Sequence, residues 1–225
     1  MDKGYEIYKD FFTESEIESW EETIRCVYHF QALKMGFDSW DIDILVRFFE
    51  ENSHDAGYHC ALQCQQTMGG KWFASLPKIR ELCSKILCSD FLTVLGPVPI
   101  VNIPESKRLI YQWHTEYHFH PKRRNFVNIW FPMFREKRRG AGTMVLAEGT
   151  HRQNWDFVEY SGYDVKELGK KHTYTQYEPV IKQPLEEVVM ELDRKDMVIF
   201  HANLLHKSTV NTSNNITYAT SIRVF

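Results

Sequence analysis

From Phe91 to the end of the chain, apolar residues stop recurring at helical spacing and gather instead in short runs. The runs 108–114, 125–134, 143–147, 188–192, 197–201 and 216–225 are rich in β-branched and aromatic residues, and Gly, Pro and Asn punctuate them. A chain divided in this way makes many short strands, which bury their faces in a sandwich or a barrel. Before Phe91 the pattern differs. Thr13 followed by Glu16 has the form of a capping box, and Ile17, Trp20, Ile24 and Val27 then recur at helical spacing, predicting a helix over 13–30. Ser39 as a cap with Ile42, Leu45, Val46 and Phe49 on one side predicts a second helix, and Ile79, Leu82, Cys83 and Ile86 after Pro77 predict a third. The expected fold class is therefore mainly β with α. One domain over 1–225 has a β core over 91–225, and the largely helical residues 1–90 brace its sheet. The polar and aromatic stretch 151–184 reads as an excursion from that sheet.

Composition narrows the function classes. Hydrophobic residues make up 43% and charged residues 25%, which supports a buried core and excludes a disordered chain or a fibre. A net charge of -3 gives no general basic field, so nucleic acid is not an expected partner. No run of 18 apolar residues occurs, and residues 1–6 lack the basic-then-apolar pattern of a secretory signal, so a cytoplasmic protein with no membrane partner is expected. The odd set Cys26, Cys60, Cys64, Cys83 and Cys88 fits buried thiols better than a disulfide framework. Cys60 and Cys64 have no second cluster with which to build a structural zinc site.

The densest chemistry lies in Trp113-His114-Thr115-Glu116-Tyr117-His118-Phe119-His120-Pro121. On an extended strand His114 and Glu116 project to one face, about 6 to 7 Å apart, and could grip one metal ion together. A third ligand could come from His201 or His206 on a later strand. Two imidazoles and one carboxylate on one face leave three coordination positions open, the arrangement of non-haem Fe(II) oxygenases.

Four motifs then follow in order: Trp113-His114-Thr115-Glu116; Asn128-Ile129-Trp130-Phe131-Pro132-Met133; Gly142-Thr143-Met144-Val145-Leu146-Ala147-Glu148-Gly149-Thr150-His151; and Asp196-Met197-Val198-Ile199-Phe200-His201 through His206-Lys207-Ser208 and Asn211. In these the chain resembles the phytanoyl-CoA dioxygenase family of Fe(II)/2-oxoglutarate-dependent oxygenases, over roughly 109–225. The resemblance implies a double-stranded β-helix, a cupin-like jelly-roll, with Fe(II) as metal, 2-oxoglutarate as co-substrate and O₂ as oxidant. It assigns His114, Glu116 and His206 as metal ligands. His201, of opposite parity to His206, is then expected in the core. The family's halogenases replace the acidic ligand by a small residue, so Glu116 points to hydroxylation of a small metabolite. A jelly-roll binding module without turnover, and a metal-dependent oxygenase that does not use 2-oxoglutarate, are the alternatives.

The co-substrate residues depart from the family in one respect. The resemblance places an arginine eleven residues after the distal histidine, where its fork would take the far carboxylate of 2-oxoglutarate. That position is Thr217, so another cation must serve. Arg108 shares the parity of His114. Arg223 shares that of Thr217 but stands about 20 Å further along an extended strand. Ser208 and Trp130 match family positions near the co-substrate, and His118 and His120 are expected at the substrate mouth. Lys122, Arg123 and Arg124, with Arg135, Lys137, Arg138 and Arg139, form two basic segments that read as solvated loops; if they flank the mouth, Arg123 and Arg124 would favour an anionic substrate.

Overall fold

The Thr13 capping box forms as its spacing predicts: the Glu16 N–H donates to Thr13 Oγ1, and the Thr13 N–H donates to Glu16 Oε2 at 2.8 Å. The computed structural model describes residues 1–107, 110–120, 125–159 and 177–225. In chain order these form β1 (Tyr5–Tyr8), α1 (Glu14–Lys34), α2 (Ile42–Asn52), α3 (His54–Cys64), α4 (Met68–Ala74), α5 (Pro77–Leu87), β2 (Val94–Asn102), α6 (Glu116–Phe119), β3 (Val127–Met133) and β4 (Met144–Ala147). They continue with β5 (Phe157–Glu159), β6 (Tyr177–Pro179), β7 (Glu187–Val189), β8 (Met197–His201), β9 (His206–Ser208) and β10 (Thr217–Val224).

Two antiparallel sheets face each other. The larger runs β1-β8-β3-β10-β2 and the smaller β7-β4-β9, while β5 and β6 pair apart from both. Alternation along the strands of the larger sheet divides the core in two. Ile129, Phe131, Tyr218, Ile222 and their like pack outward on α1 to α5, while Trp130, Val198, Phe200 and Ala219 pack inward on Met144 and Leu146 of β4. Phe131, with no exposure, lies 4.7 Å from the Phe12 ring and 5.4 Å from that of Phe73. Burying one such ring is worth about 1.5–3 kcal/mol. The Trp20 indole N–H donates to Thr220 Oγ1 at 2.8 Å, so the polar atom that this ring brings into the core is satisfied.

Several boundaries differ from expectation. The first helix runs to Lys34, and the cap of the second is Asp41, whose carboxylate accepts from the Asp43 and Ile44 N–H groups, instead of Ser39. No strand spans 110–113, and His114 makes an isolated bridge to His206. Glu116 opens the single-turn α6, so strand parity is not what aims it. The helices α3 and α4 and the strands β1 and β2 were not expected. Cys60 and Cys64 are buried free thiols, as their spacing suggested. Among the described residues no helix is long and apolar enough to cross a membrane.

Candidate active site

His206 enters the site because β9 pairs with β4 in the register Leu146 to His206 and Met144 to Ser208. His114 is laid beside it by two backbone bonds, each N–H donating to the other residue's carbonyl at 3.0 Å, and the Glu116 N–H donates to the Ala202 carbonyl at 2.8 Å. The candidate ligand atoms of His114, Glu116 and His206 consequently lie within 4.8 Å of one another. His201 turns away. Its Nδ1 accepts from the Asn203 N–H, and its ring packs near Tyr117 and His151.

The chemistry of the three side chains suits a cation. His114 Nδ1 meets the Gln112 carbonyl at 2.7 Å, and His206 Nδ1 meets the Leu204 carbonyl at 3.0 Å. A carbonyl only accepts, so each Nδ1 carries the proton and each Nε2 keeps its lone pair for a metal. Burial, helped by the neighbouring His206, pushes the His114 pKa down to about 3, so the imidazole is neutral and ready to ligate at neutral pH. Burial alone would raise the Glu116 pKa. The Arg223 guanidinium and the contact with His206 outweigh it and hold the carboxyl well below the usual range.

Arg223 thus has a place that strand distance from Thr217 did not suggest. Its Nε donates to Glu116 Oε2 at 2.6 Å and its Nη2 to Oε1 at 3.2 Å, a two-pronged pair beside His206. It lies at the metal end of the cavity, as the partner of Glu116. Across the β3–β10 ladder from Arg223 stands Asn128, fully buried, with neither side-chain amide atom hydrogen-bonded.

His114, Glu116 and His206 line a cavity of about 380 Å³ walled by strands of both sheets and by α2 and α3. Trp130 and Ser208 line it, together with Ser221, Asn102 and Gly142. Thr217 does not line it and lies buried behind the wall, where it donates to the Ala141 carbonyl at 2.6 Å and meets the Lys137 Nζ at 2.7 Å. Lys137 overturns the reading of its segment as a solvated loop: it has no exposure, and burial drives its pKa well below that of a free lysine. Sequence reasoning missed it because nothing distinguishes it from its neighbours. Arg135 pairs with Asp43, and Arg138 pairs with Asp193 at the surface. His120 packs edge-on against Phe126 and Phe225 and is not among the described residues that line the cavity. Arg108, Arg123, Arg124 and the side chain of His118 lie outside the described residues.

Two antiparallel sheets enclosing two imidazoles and a carboxylate define the class as cupin-like, and solved structures share the whole architecture. EvdO2 from Micromonospora carbonacea var. aurantiaca, complexed with 2-oxoglutarate, matches with a TM-score of 0.65 at 16% identity over 99% of this chain and 86% of its own. The non-haem α-ketoglutarate-dependent carbocyclase SnoK from nogalamycin biosynthesis matches at 0.63 and 14% identity, over 99% and 79%. The epimerase SnoN, in complex with Fe3+, α-ketoglutarate and nogalamycin RO, matches at 0.61 and 12%, over 100% and 79%. No curated protein matches in sequence. The family model described as phytanoyl-CoA dioxygenase (PhyH) matches residues 1–217, and the chain belongs to that family, whose members use Fe(II) and 2-oxoglutarate.

Proposed function

We propose that the protein is an Fe(II)- and 2-oxoglutarate-dependent oxygenase that hydroxylates a small molecule. The observation that carries this reading is the meeting of the His114 and His206 lone pairs with the Glu116 carboxylate on the wall of one cavity. His114, Glu116 and His206 would hold the metal and leave three positions open. When bound, iron and 2-oxoglutarate supply the oxidising power: O₂ and the co-substrate are consumed, one oxygen atom enters the substrate, and succinate and carbon dioxide leave.

The chain's own part is binding and shielding. The Gln112 and Leu204 carbonyls keep each imidazole in the tautomer that ligates, and Arg223 keeps Glu116 ionised inside the protein. Trp130 and Ser208 line the cavity where a co-substrate bound beside His206 would lie. The remaining wall is largely apolar, with Phe49, Leu62, Val98 and Ile100 among its residues, which excludes water and suits a substrate with a carbon-rich skeleton. Arg135 and Arg138 are paired and Lys137 is buried, so a preference for anionic substrates would rest on the remaining cations of the two segments, Lys122, Arg123, Arg124 and Arg139.

Anaerobic titration with Fe(II), with and without 2-oxoglutarate, tests the reading. The expected result is a metal-to-ligand charge-transfer band that needs both, followed by succinate release when O₂ is admitted. Metal binding without any co-substrate band would point to an oxygenase of another kind. No metal binding would point to a binding module.

A further inference from the structure

Behind the cavity wall formed by Asn102 and Gly142 stands a buried lysine for which the metal site gives no reason. The Lys137 ammonium has three hydrogens to place, and four oxygens surround it: Asn102 Oδ1 at 2.7 Å, Thr217 Oγ1 at 2.7 Å, and the carbonyls of Gly142 at 2.9 Å and Ala141 at 3.3 Å. All four are neutral. An isolated ammonium buried to this degree is expensive, and lysines are almost never fully buried unless an anion pairs with them. Among the described residues no carboxylate makes an ion pair with Lys137.

The surroundings are built to hold the charge there. Lys137 is fixed at its backbone by two bonds with Leu192, at 2.9 and 3.0 Å. Thr217 and Asn102 are paired across the β2–β10 ladder, which brings both oxygens to the same ammonium. Gly142 adopts φ +62°, and a Cβ there would come within 2.7 Å of Asn102 Cβ, so only glycine lets the Asn102 side chain settle over the lysine. Asn102 is held in turn by the Asn211 amide, which donates to its backbone carbonyl at 2.7 Å. Both Asn102 and Gly142 line the cavity, so the charge lies immediately behind its wall. The direction from the candidate ligands also fits. From His206 to Ser208 is two residues of strand, about 6 to 7 Å, and Ser208 pairs with Met144, two residues from Gly142.

We propose that Lys137 supplies the positive charge missing at Thr217, and that the far carboxylate of the 2-oxo acid co-substrate is recognised by this buried ammonium in the cradle of Asn102, Gly142 and Thr217. The inference rests on the reading of the site as a 2-oxoglutarate site. It assigns to Lys137, arriving from the connection between β3 and β4, the task that the resemblance gave to an arginine on the last strand. Thr217 and Asn102 act as the neutral partners that hold the charge until an anion arrives.

The test compares 2-oxoglutarate with 2-oxopentanoate, which has the same five-carbon chain and keto acid but no far carboxylate. Anaerobic charge-transfer titrations of the Fe(II)-loaded protein give both dissociation constants, independently of turnover. Wild-type protein should prefer 2-oxoglutarate by about a hundredfold, as expected when one partner of a buried charge pair is absent. Lys137→Met should bring the two within about threefold of each other while Fe(II) affinity is unchanged. Asn102→Asp, which changes one atom and offers the ammonium an internal carboxylate, should erode the preference in the same direction and keeps the test open should Lys137→Met not fold. Preserved discrimination in a folded, metal-loaded Lys137→Met, or in Asn102→Asp should Lys137→Met not fold, overturns the assignment. A wild-type protein that binds Fe(II) and shows no band with 2-oxoglutarate overturns the functional reading itself, and this assignment with it.

Discussion

The two ends of the cavity treat buried charge in opposite ways. At the metal end Glu116 is fully compensated: Arg223 grips both oxygens and His206 stands 3.6 Å away. At the far end Lys137 has only neutral oxygens around it. A paired carboxylate is stable alone and must share its partner when a metal arrives. An unpaired ammonium costs free energy until an anion arrives. The difference teaches which end is finished by the chain and which is completed by a ligand.

The largest effect that separates the ends should come from the candidate ligands. His206→Ala should cost more metal affinity than the roughly 10- to 100-fold typical of losing an outer partner, and calorimetry should show this while the melting temperature of the metal-free protein changes little. Stoichiometric binding at micromolar metal would remove His206 from the ligand set.

Arg223→Leu sharpens the contrast by making the metal end resemble the far one. Glu116 is 7% exposed and Arg223 27%, so the loss is discounted for solvent on the arginine side to about 2 kcal/mol of metal-free stability. Added metal should then raise the melting temperature of the variant by more than it raises that of wild type, because the ion takes over the compensation of Glu116. Equal metal-induced shifts would show that Arg223 does not compensate the ligand.

The smallest effect is a pH dependence confined to the far end. Burial holds the Lys137 pKa low in the free protein, and a bound carboxylate would raise it. At pH values above the free-state pKa, 2-oxoglutarate binding must therefore take up a proton, and its affinity should fall with rising pH by up to about tenfold per unit. The affinity of 2-oxopentanoate should not follow. Parallel profiles for the two acids would place the titration elsewhere.

What was legible in the sequence was local or ordered. The Thr13 and Glu16 pair set the start of α1, Pro77 set that of α5, and β8 spans the 197–201 run. The order of motifs brought His114, Glu116 and His206 together as candidates. What was not legible depends on contacts distant in sequence. The unexpected β2 contains Gly96, Pro97 and Pro99, which a strand tolerates here because it is an edge strand of the larger sheet, where a missing N–H costs no ladder bond. Arg223 looked misplaced only because distance was measured along β10 from Thr217; its partner Glu116 comes from another segment. Lys137 lies between Glu136 and Arg138 in a charged run, and only the meeting of β2, β10 and the β3–β4 connection turns it inward.

The aim of the two imidazoles is set within very short stretches of chain. Gln112 orients His114, and Leu204 orients His206, each through a main-chain oxygen two residues upstream. Neither contact depends on which side chains occupy positions 112 and 204, nor on how the larger sheet is packed against its helices. Substitutions can therefore accumulate through most of the barrel without turning a ring, provided the short 112–114 and 204–206 backbones are kept. Mutational tolerance should be broad in the outer core and narrow in these two tripeptides.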